Sequence, residues 1–184
     1  MNIYIMRHGT TFWNQKGIIQ GHSFNRLSVL GQQEVEDAAK KYAKIQFDII
    51  ITSPLTRTVQ TANIMNKYHT VKILKDKRII EVDKGIFTKR LKSSLSAKEK
   101  EQRKNRDQSC GIESYEDVYL RCSSFLTELI NKSYNNLLII THATVATMLE
   151  NIILNKQINL KKIKDLDSFK NAEIRKYNLI QQKC

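Results

Sequence analysis

Four residues invite chemistry by their type and position: Arg7 and His8 in the stretch YIMRHGTTFWN (residues 4–14), Arg57 in TSPLTRTVQTA, and His142 in LLIITHA. Each follows closely on a short apolar run of the kind a buried strand uses, and each is a polar group that an apolar core would exclude. If the three runs are parallel strands of one open sheet, their carboxyl ends share an edge and the four side chains converge there. Two guanidinium groups and two imidazoles held close together call for an anion, and phosphate fits the fork geometry of arginine. An unprotonated imidazole facing a phosphoryl group is a nucleophile. Its attack gives a phosphohistidine that water or another acceptor then resolves. Arg7, Arg57 and a protonated His142 would hold the equatorial oxygens during transfer, and the cations beside His8 would lower its pKa and keep it unprotonated. The departing alkoxide needs a proton. Glu81, at the end of a fourth apolar run in RIIEVDKG, is the first candidate for that general acid, with Asp83 and Asp48 behind it.

The elements that must position these groups are legible in outline. Strands are expected at residues 2–6, 47–52 and 137–141, each short and rich in Ile or Leu. Ser28 offers an N-cap to a helix whose stripe is Val35, Ala38, Ala39, Tyr42 and Ala43. Ser53 followed by Pro54 offers a second cap with proline at the first helical position, leading into Leu55, Val59 and Ala62. The Ser-x-x-Asp of SYED at 114–117 precedes a stripe of Val118, Cys122, Phe125 and Leu129. Val145, Met148, Leu149, Ile152 and Ile153 form a last stripe directly after the third strand. Strand and helix alternate, so the expected fold is α/β: a mostly parallel sheet flanked by helices on both faces, in three α/β/α layers.

Length and charge bound the alternatives. The chain has 184 residues, 41% of them hydrophobic, enough for one sizeable core, so a single domain is expected. No stretch approaches the roughly 20 apolar residues of a membrane span, and MNIYIM is too short for a secretory signal. A soluble, cytoplasmic protein without a membrane partner is the expectation. Cys110, Cys122 and Cys184 have no paired spacing and read as free thiols. The formal net charge of +13 favours an anionic partner. Much of the excess lies in residues 88–107, where eight basic residues face three acidic ones, and in the lysine-rich stretch after Asn155. Residues 88–107 have only Leu91, Leu95 and Ala97 as apolar members and read as an exposed helix or mobile excursion outside the core. Stacking aromatics are absent there and no helix-turn-helix or zinc spacing occurs, which argues against nucleic acid as the main partner. If the segment closes over the pocket, Lys89, Arg90 and Lys92 could select substrates with a second acidic group. His22 and His69 take the structural reading, and either Phe12 or Trp13 is expected to anchor its loop in the core.

Read in order, RHGTTFWN, QG, LSVLG, TSPLTRTVQTA, EVDKG, GIESYEDVYLR and LLIITHA resemble the histidine phosphatase superfamily, the phosphoglycerate mutase-like proteins. The resemblance implies that fold, a small phosphorylated substrate, and a phosphohistidine mechanism with His8 as nucleophile. Arg7, Arg57 and His142 form the phosphate pocket and Glu81 is the proton donor. It implies further that Asn14 touches the phosphate. Thr11, Gln20, Gly21 and Ala143, within or beside the matching motifs, complete the expected binding set. Neither a cofactor nor a metal ion belongs to the usual mechanism. Three positions depart from the family pattern: Thr10 stands for Glu or Gln, Asn25 for Asp, and Ala143 for Gly, where a side chain restricts any turn that needs positive φ. EVDKGIFTKR also lacks the closing Glu-Gly of the phosphatase branch and the ending typical of the mutases. Chains this short lean to hydrolysis of phosphomonoesters; the alternatives are mutase transfer and a weakened relative that binds phosphorylated ligands or a partner. Whether the chain forms a homodimer is not fixed by the sequence.

Overall fold

The structure is a computed structural model of the chain and describes residues 1–154 and 168–179. Five strands form one sheet: β1 (Asn2–Arg7), β2 (Ile49–Thr52), β3 (Lys72–Lys75), β4 (Asn136–Thr141) and β5 (Ile174–Asn178), in the order β3-β2-β4-β1-β5. Three of the pairings are parallel, and β5 runs antiparallel to β1 along one edge. The helices are α1 (Phe12–Gln15), α2 (Val29–Tyr42), α3 (Thr56–Met65), α4 (Ala97–Asn105), α5 (Tyr115–Ile130) and α6 (Ala143–Ile153).

Alternation along the strands sorts the core into two halves. Ile3, Ile5, Ile49, Ile51, Leu137 and Ile139 face α5 and α6, where they meet Val118, Cys122, Phe125, Leu129, Val145, Met148 and Leu149. Tyr4, Met6, Ile50, Leu138 and Ile140 face α2 and α3, where they meet Val35, Ala39, Ala62 and Met65. The expected three-layer α/β/α arrangement is therefore present. The central strands are buried on both faces, which is why their sequences are continuous apolar runs.

Two strands escape the sequence reading because neither carries that pattern. β3, KILK, is largely exposed at one edge, and β5, IRKYN, is polar at the other. The fourth apolar run is not a strand: Lys77–Ile79 makes a single 3₁₀ turn capped by Asp76, Ile79 enters the core from that turn, and Val82 enters it from the chain beyond. The Ser28 and Ser114 caps form as expected, each accepting the amide three residues on. The Ser53–Pro54 cap does not. Helix α3 starts later, with Leu55 at the N-cap and no side-chain cap; the Ser53 hydroxyl accepts the Leu55 amide at 3.4 Å and meets the His142 ring.

Residues 88–107 are partly as expected. They include the exposed helix α4, closed at its start by a capping box of Ser96 and Glu99. Leu95, however, is buried, packed with Ile19, Phe87, Cys110 and Ile112 in a separate small cluster that fastens the segment down. Neither Phe12 nor Trp13 anchors the preceding loop: Phe12 is 51% exposed and Trp13 half-buried, and Ile19 enters the cluster instead. Cys110 and Cys122 are buried free thiols; Cys184 and the lysine-rich stretch after Asn155 fall outside the described residues up to Asp167 and from Ile180 on. No helix among the described residues is long and apolar enough to cross a membrane.

Parallel register sets the strand ends at one edge. Arg7 lies opposite Thr141, and Thr52 opposite Ile140. The segment just beyond β1 is pressed against the first turn of α2: a Cβ on Gly31 would lie 1.9 Å from the Thr10 carbonyl oxygen, so only glycine permits that contact.

Candidate active site

His8 leaves the end of β1 with its backbone held from two directions. Its amide donates to the Thr141 carbonyl at 3.0 Å, and its own carbonyl accepts from Asn171 Nδ2 at 3.0 Å. The ring is 3% exposed, with Nδ1 2.7 Å from the Gly9 carbonyl. A carbonyl only accepts, so Nδ1 carries the proton and Nε2 keeps its lone pair. Burial, then the charges of Arg57 and Arg7, push the His8 pKa well below its ordinary value. The ring is neutral at physiological pH with its nucleophilic nitrogen free.

His142 caps the end of β4 as the residue before α6, with its ring centroid 5.3 Å from that of His8. Its Nδ1 accepts from Arg57 Nε at 3.3 Å and its Nε2 lies 2.8 Å from Ser53 Oγ. Nε2 is therefore the protonated nitrogen, donating to the serine. The expectation of a protonated His142 is corrected: burial, then Arg57, His8 and Arg7, lower its pKa well below the usual value, and its second nitrogen is already an acceptor. A bound dianion would offset those cations and raise both imidazole pKa values.

Arg57 is wholly buried on the first turn of α3. Nη2 donates to the Gly21 carbonyl at 3.0 Å, and Nη1 to the Ser23 carbonyl at 3.3 Å. Burial lowers its pKa to about 10, opposed chiefly by Glu81. Arg7 donates Nη1 to the Phe169 carbonyl at 2.8 Å, and its buried Nε has no partner among the described residues. An unpaired guanidinium nitrogen is what an anion would satisfy. Burial lowers the Arg7 pKa, and Glu81, then Glu34 and Glu173, oppose the shift.

Glu81 is thus the first counter-charge felt by both arginines, which places it close to the same pocket. One carboxylate oxygen accepts the Val82 amide at 2.8 Å. The His22 ring donates Nε2 to the Glu81 carbonyl at 2.5 Å, so His22, read as structural, positions the segment carrying that carboxylate. The weaker candidates separate from it. Asp48 accepts the Asn135 and Asn136 amides at the opposite, amino end of the sheet, and Asp83 shapes a turn by accepting the Gly85 amide. His69 stacks edge-on against Phe47, as a structural histidine would.

The smaller expected residues divide. Asn14 Oδ1 accepts both the Thr11 amide and hydroxyl while Thr11 Oγ1 accepts the Asn14 amide, a capping box that shapes α1. Gln20 and Gly21 belong to the loop that receives Arg57; Gln20 Oε1 accepts from the buried Asn25 amide at 3.0 Å. Ala143 opens α6 without positive φ, so its side chain does not obstruct the turn. Thr10 binds the Glu34 carboxylate through both amide and hydroxyl, at 2.9 and 3.0 Å, so a carboxylate is supplied from α2 where the threonine has none. Ser53, Glu34 and Asn171 are the positioning residues that sequence reasoning missed; Ser53 alone carried a signal, as a polar residue directly after a buried strand. No group of three or more His, Cys, Asp or Glu side chains among the described residues could hold a metal ion.

The two buried neutral imidazoles couple folding to pH. Their native pKa values lie below the unfolded value of about 6.5, so their contribution is complete above that pH and is lost as the pH falls below it. In the absence of phosphate, stability is expected to drop below pH ~6.5 by up to about 1.4 kcal/mol per pH unit for each imidazole. Urea midpoints at pH 7.5, 6.5 and 5.5 check this, and a His142→Gln variant should show about half the slope.

A neutral imidazole with a free Nε2, ringed by two arginines, a second histidine and one carboxylate at the carboxyl edge of a parallel sheet, is a site for phosphoryl chemistry. The description of the histidine phosphatase superfamily, branch 1, matches residues 3–184, and the chain belongs to that family. It is 28% identical over 151 residues to phosphoserine phosphatase 1 of Hydrogenobacter thermophilus, covering 79% of this chain and 72% of that protein. It is 36% identical over 99 residues to "Probable phosphoglycerate mutase GpmB" of an Enterobacter species, covering 54% of this chain and 46% of the relative. The chain thus matches about half the length of its mutase-named relatives. Among solved structures, the Shigella flexneri alpha-ribazole phosphatase superposes with a TM-score of 0.84 at 19% identity over 98% of this chain and 92% of the other. A mycobacterial glucosyl-3-phosphoglycerate phosphatase gives 0.84 at 23% identity over 95% and 91%. At such identities these two establish the shared fold.

Proposed function

We propose that the chain is a phosphomonoesterase, one histidine phosphatase domain throughout, acting on a small phosphorylated metabolite through a phosphohistidine at His8. The single observation that carries the reading is the His8 ring: Nδ1 tied to the Gly9 carbonyl, Nε2 left as a lone pair among cations. In the first step that lone pair forms the N–P bond as the P–O bond to the alcohol breaks, and Glu81 gives its proton to the leaving oxygen. Arg7 and Arg57 balance the charge on the equatorial oxygens, and His142 joins them as the bound dianion raises its pKa. In the second, Glu81 takes a proton from water as the water oxygen attacks phosphorus, the N–P bond breaks, and inorganic phosphate leaves. Asn14, Thr11, Gln20, Gly21 and Ala143 act by shaping the loops around the anion.

The test is phosphate release from p-nitrophenyl phosphate and a panel of phosphorylated metabolites, with alkaline quenching to trap a phosphorylated, acid-labile enzyme. Turnover with such an intermediate is expected. Conversion of 3-phosphoglycerate to 2-phosphoglycerate faster than its hydrolysis would select the mutase alternative, which the match to the GpmB relatives favours.

A further inference from the structure

Beside the phosphate pocket lies a cavity of about 300 Å³ lined by Lys84, Lys100, Arg103, Lys104 and Arg106, together with Tyr115 and Thr144. Its cations come from three pieces of chain: the segment after Glu81, helix α4, and the turn that ends α4. None of the five is paired with a carboxylate among the described residues. Three of the acidic groups around them are engaged elsewhere, Glu113 with Arg121, Glu99 with Arg90, and Asp107 with Ser109 and Gln102.

The cluster is built rather than incidental. Arg106 takes the left-handed conformation, with φ of 53°, at a helix end where glycine is the easy residue. That backbone is held by a guanidinium lying 3.4 Å over the Tyr115 ring and donating Nη1 to the Glu113 carbonyl at 2.5 Å. Arg103 and Lys84 are each destabilised as cations by burial and by Arg106. Lys84, half-buried, is lowered to about 8, with Glu81 the first charge to oppose the shift. Like charges gathered with no paired carboxylate, and opposed only by the more remote Glu81 and Glu113, are costly, and an anion joining them relieves that cost.

The cavity also lies close to the site. Thr144 stands two residues after His142, Lys84 three after Glu81, and Lys92 feels the charges of both Arg103 and Arg7. The residues differ from those the sequence suggested: Arg90 is closed off by its ion pair with Glu99, and Lys89 is exposed.

We propose that this cavity is a second anion subsite, and that the preferred substrate is a small metabolite carrying a further phosphoryl group besides the one transferred to His8. The inference rests on the phosphatase reading for its kinetics but not for its binding. Five cations in a space that admits a sugar-sized body suit a dianionic phosphoryl group better than a single carboxylate.

The probes are glucose 6-phosphate, glucose 1,6-bisphosphate and 3-phosphoglycerate, with wild type and an Arg103→Ala/Lys104→Ala variant on the exposed helix. Wild type should prefer the bisphosphate to glucose 6-phosphate by about 10- to 100-fold in kcat/KM, the worth of one or two charge-assisted contacts, and the variant should lose most of that ratio. Raising the pH from 7 to 9 should also narrow the ratio as Lys84 loses its proton. Equal ratios in wild type and variant, or a gain for 3-phosphoglycerate as large as that for the bisphosphate, would overturn the assignment. If no substrate is turned over, the phosphatase reading fails alone. Calorimetric binding of the same compounds to the His8→Asn protein then judges the subsite, with the same preference expected and its absence decisive against it.

Discussion

His8→Ala should reduce kcat/KM for p-nitrophenyl phosphate by about 10⁴-fold or more, with no phosphorylated enzyme trapped at alkaline quench. The magnitude is that of removing a covalent nucleophile, after which only charge stabilisation and positioning by the remaining groups survive. Folding should be weakened by about 1–3 kcal/mol, the cost of a buried cavity and an unpaired Gly9 carbonyl. The hydrogen bond to the Gly9 carbonyl is lost, and only at acid pH is that offset by removing a ring whose burial and cationic neighbours disfavour its charged form. His8→Asn separates the two effects: its amide can still donate to Gly9, so it should restore part of the loss of melting temperature while remaining inactive. Retention of full activity in either variant would dismiss His8 as the nucleophile and leave the cationic pocket as a binding site.

Arg57→Met should be costly in both activity and stability. As a ligand for the transferring oxygens Arg57 is expected to contribute about 10²- to 10³-fold in kcat, the scale of a lost oxyanion donor. Its guanidinium also holds the Gly21 and Ser23 carbonyls and orients His142 through Nδ1. Methionine fills the volume but leaves those buried acceptors bare, at about 1–3 kcal/mol, partly offset because a charge no longer has to be buried. Arg57→Lys should not rescue activity, since one ammonium cannot reach three directions at once. Inhibition constants for inorganic phosphate, compared with chemical denaturation midpoints, separate lost anion binding from lost structure. A variant that is destabilised yet binds phosphate normally would reduce Arg57 to a structural clamp.

The convergence of Arg7, His8, Arg57 and His142 was legible because each follows a strand buried on both faces, where only apolar residues are accommodated and a polar intrusion stands out. Glu81 was singled out by its place at the end of an apolar run and then in the motif EVDKG, although the chain before it is a 3₁₀ turn and extended segment rather than a strand. The edge strands β3 and β5 were not readable, because a strand exposed along one side can be built from lysines and arginines. Nor were the acceptors of Arg57, Gly21 and Ser23, which act through backbone carbonyls that every residue type possesses. The protonation of His142 was misread for want of geometry: only the direction of the Arg57 Nε–H decides which imidazole nitrogen is the acceptor. The basic run at 88–107 announced its charge, but which of its cations face one cavity depended on the left-handed turn at Arg106 and on Leu95 pinning the segment.

The placement of β1 between β4 and β5 has a consequence for biosynthesis. Strand β1 finds both its neighbours far along the sequence, Asn2 opposite Asn136 and Asn178, and Met1 exchanges backbone hydrogen bonds with Leu179. On the ribosome, β1 cannot complete its pairing until β4 and β5 have been translated, and only then is the His8 backbone clamped by Thr141 and Asn171. Nascent chains stalled before codon 136 should lack any hydrolytic competence, and contacts spanning so much of the sequence favour slow acquisition of the native state.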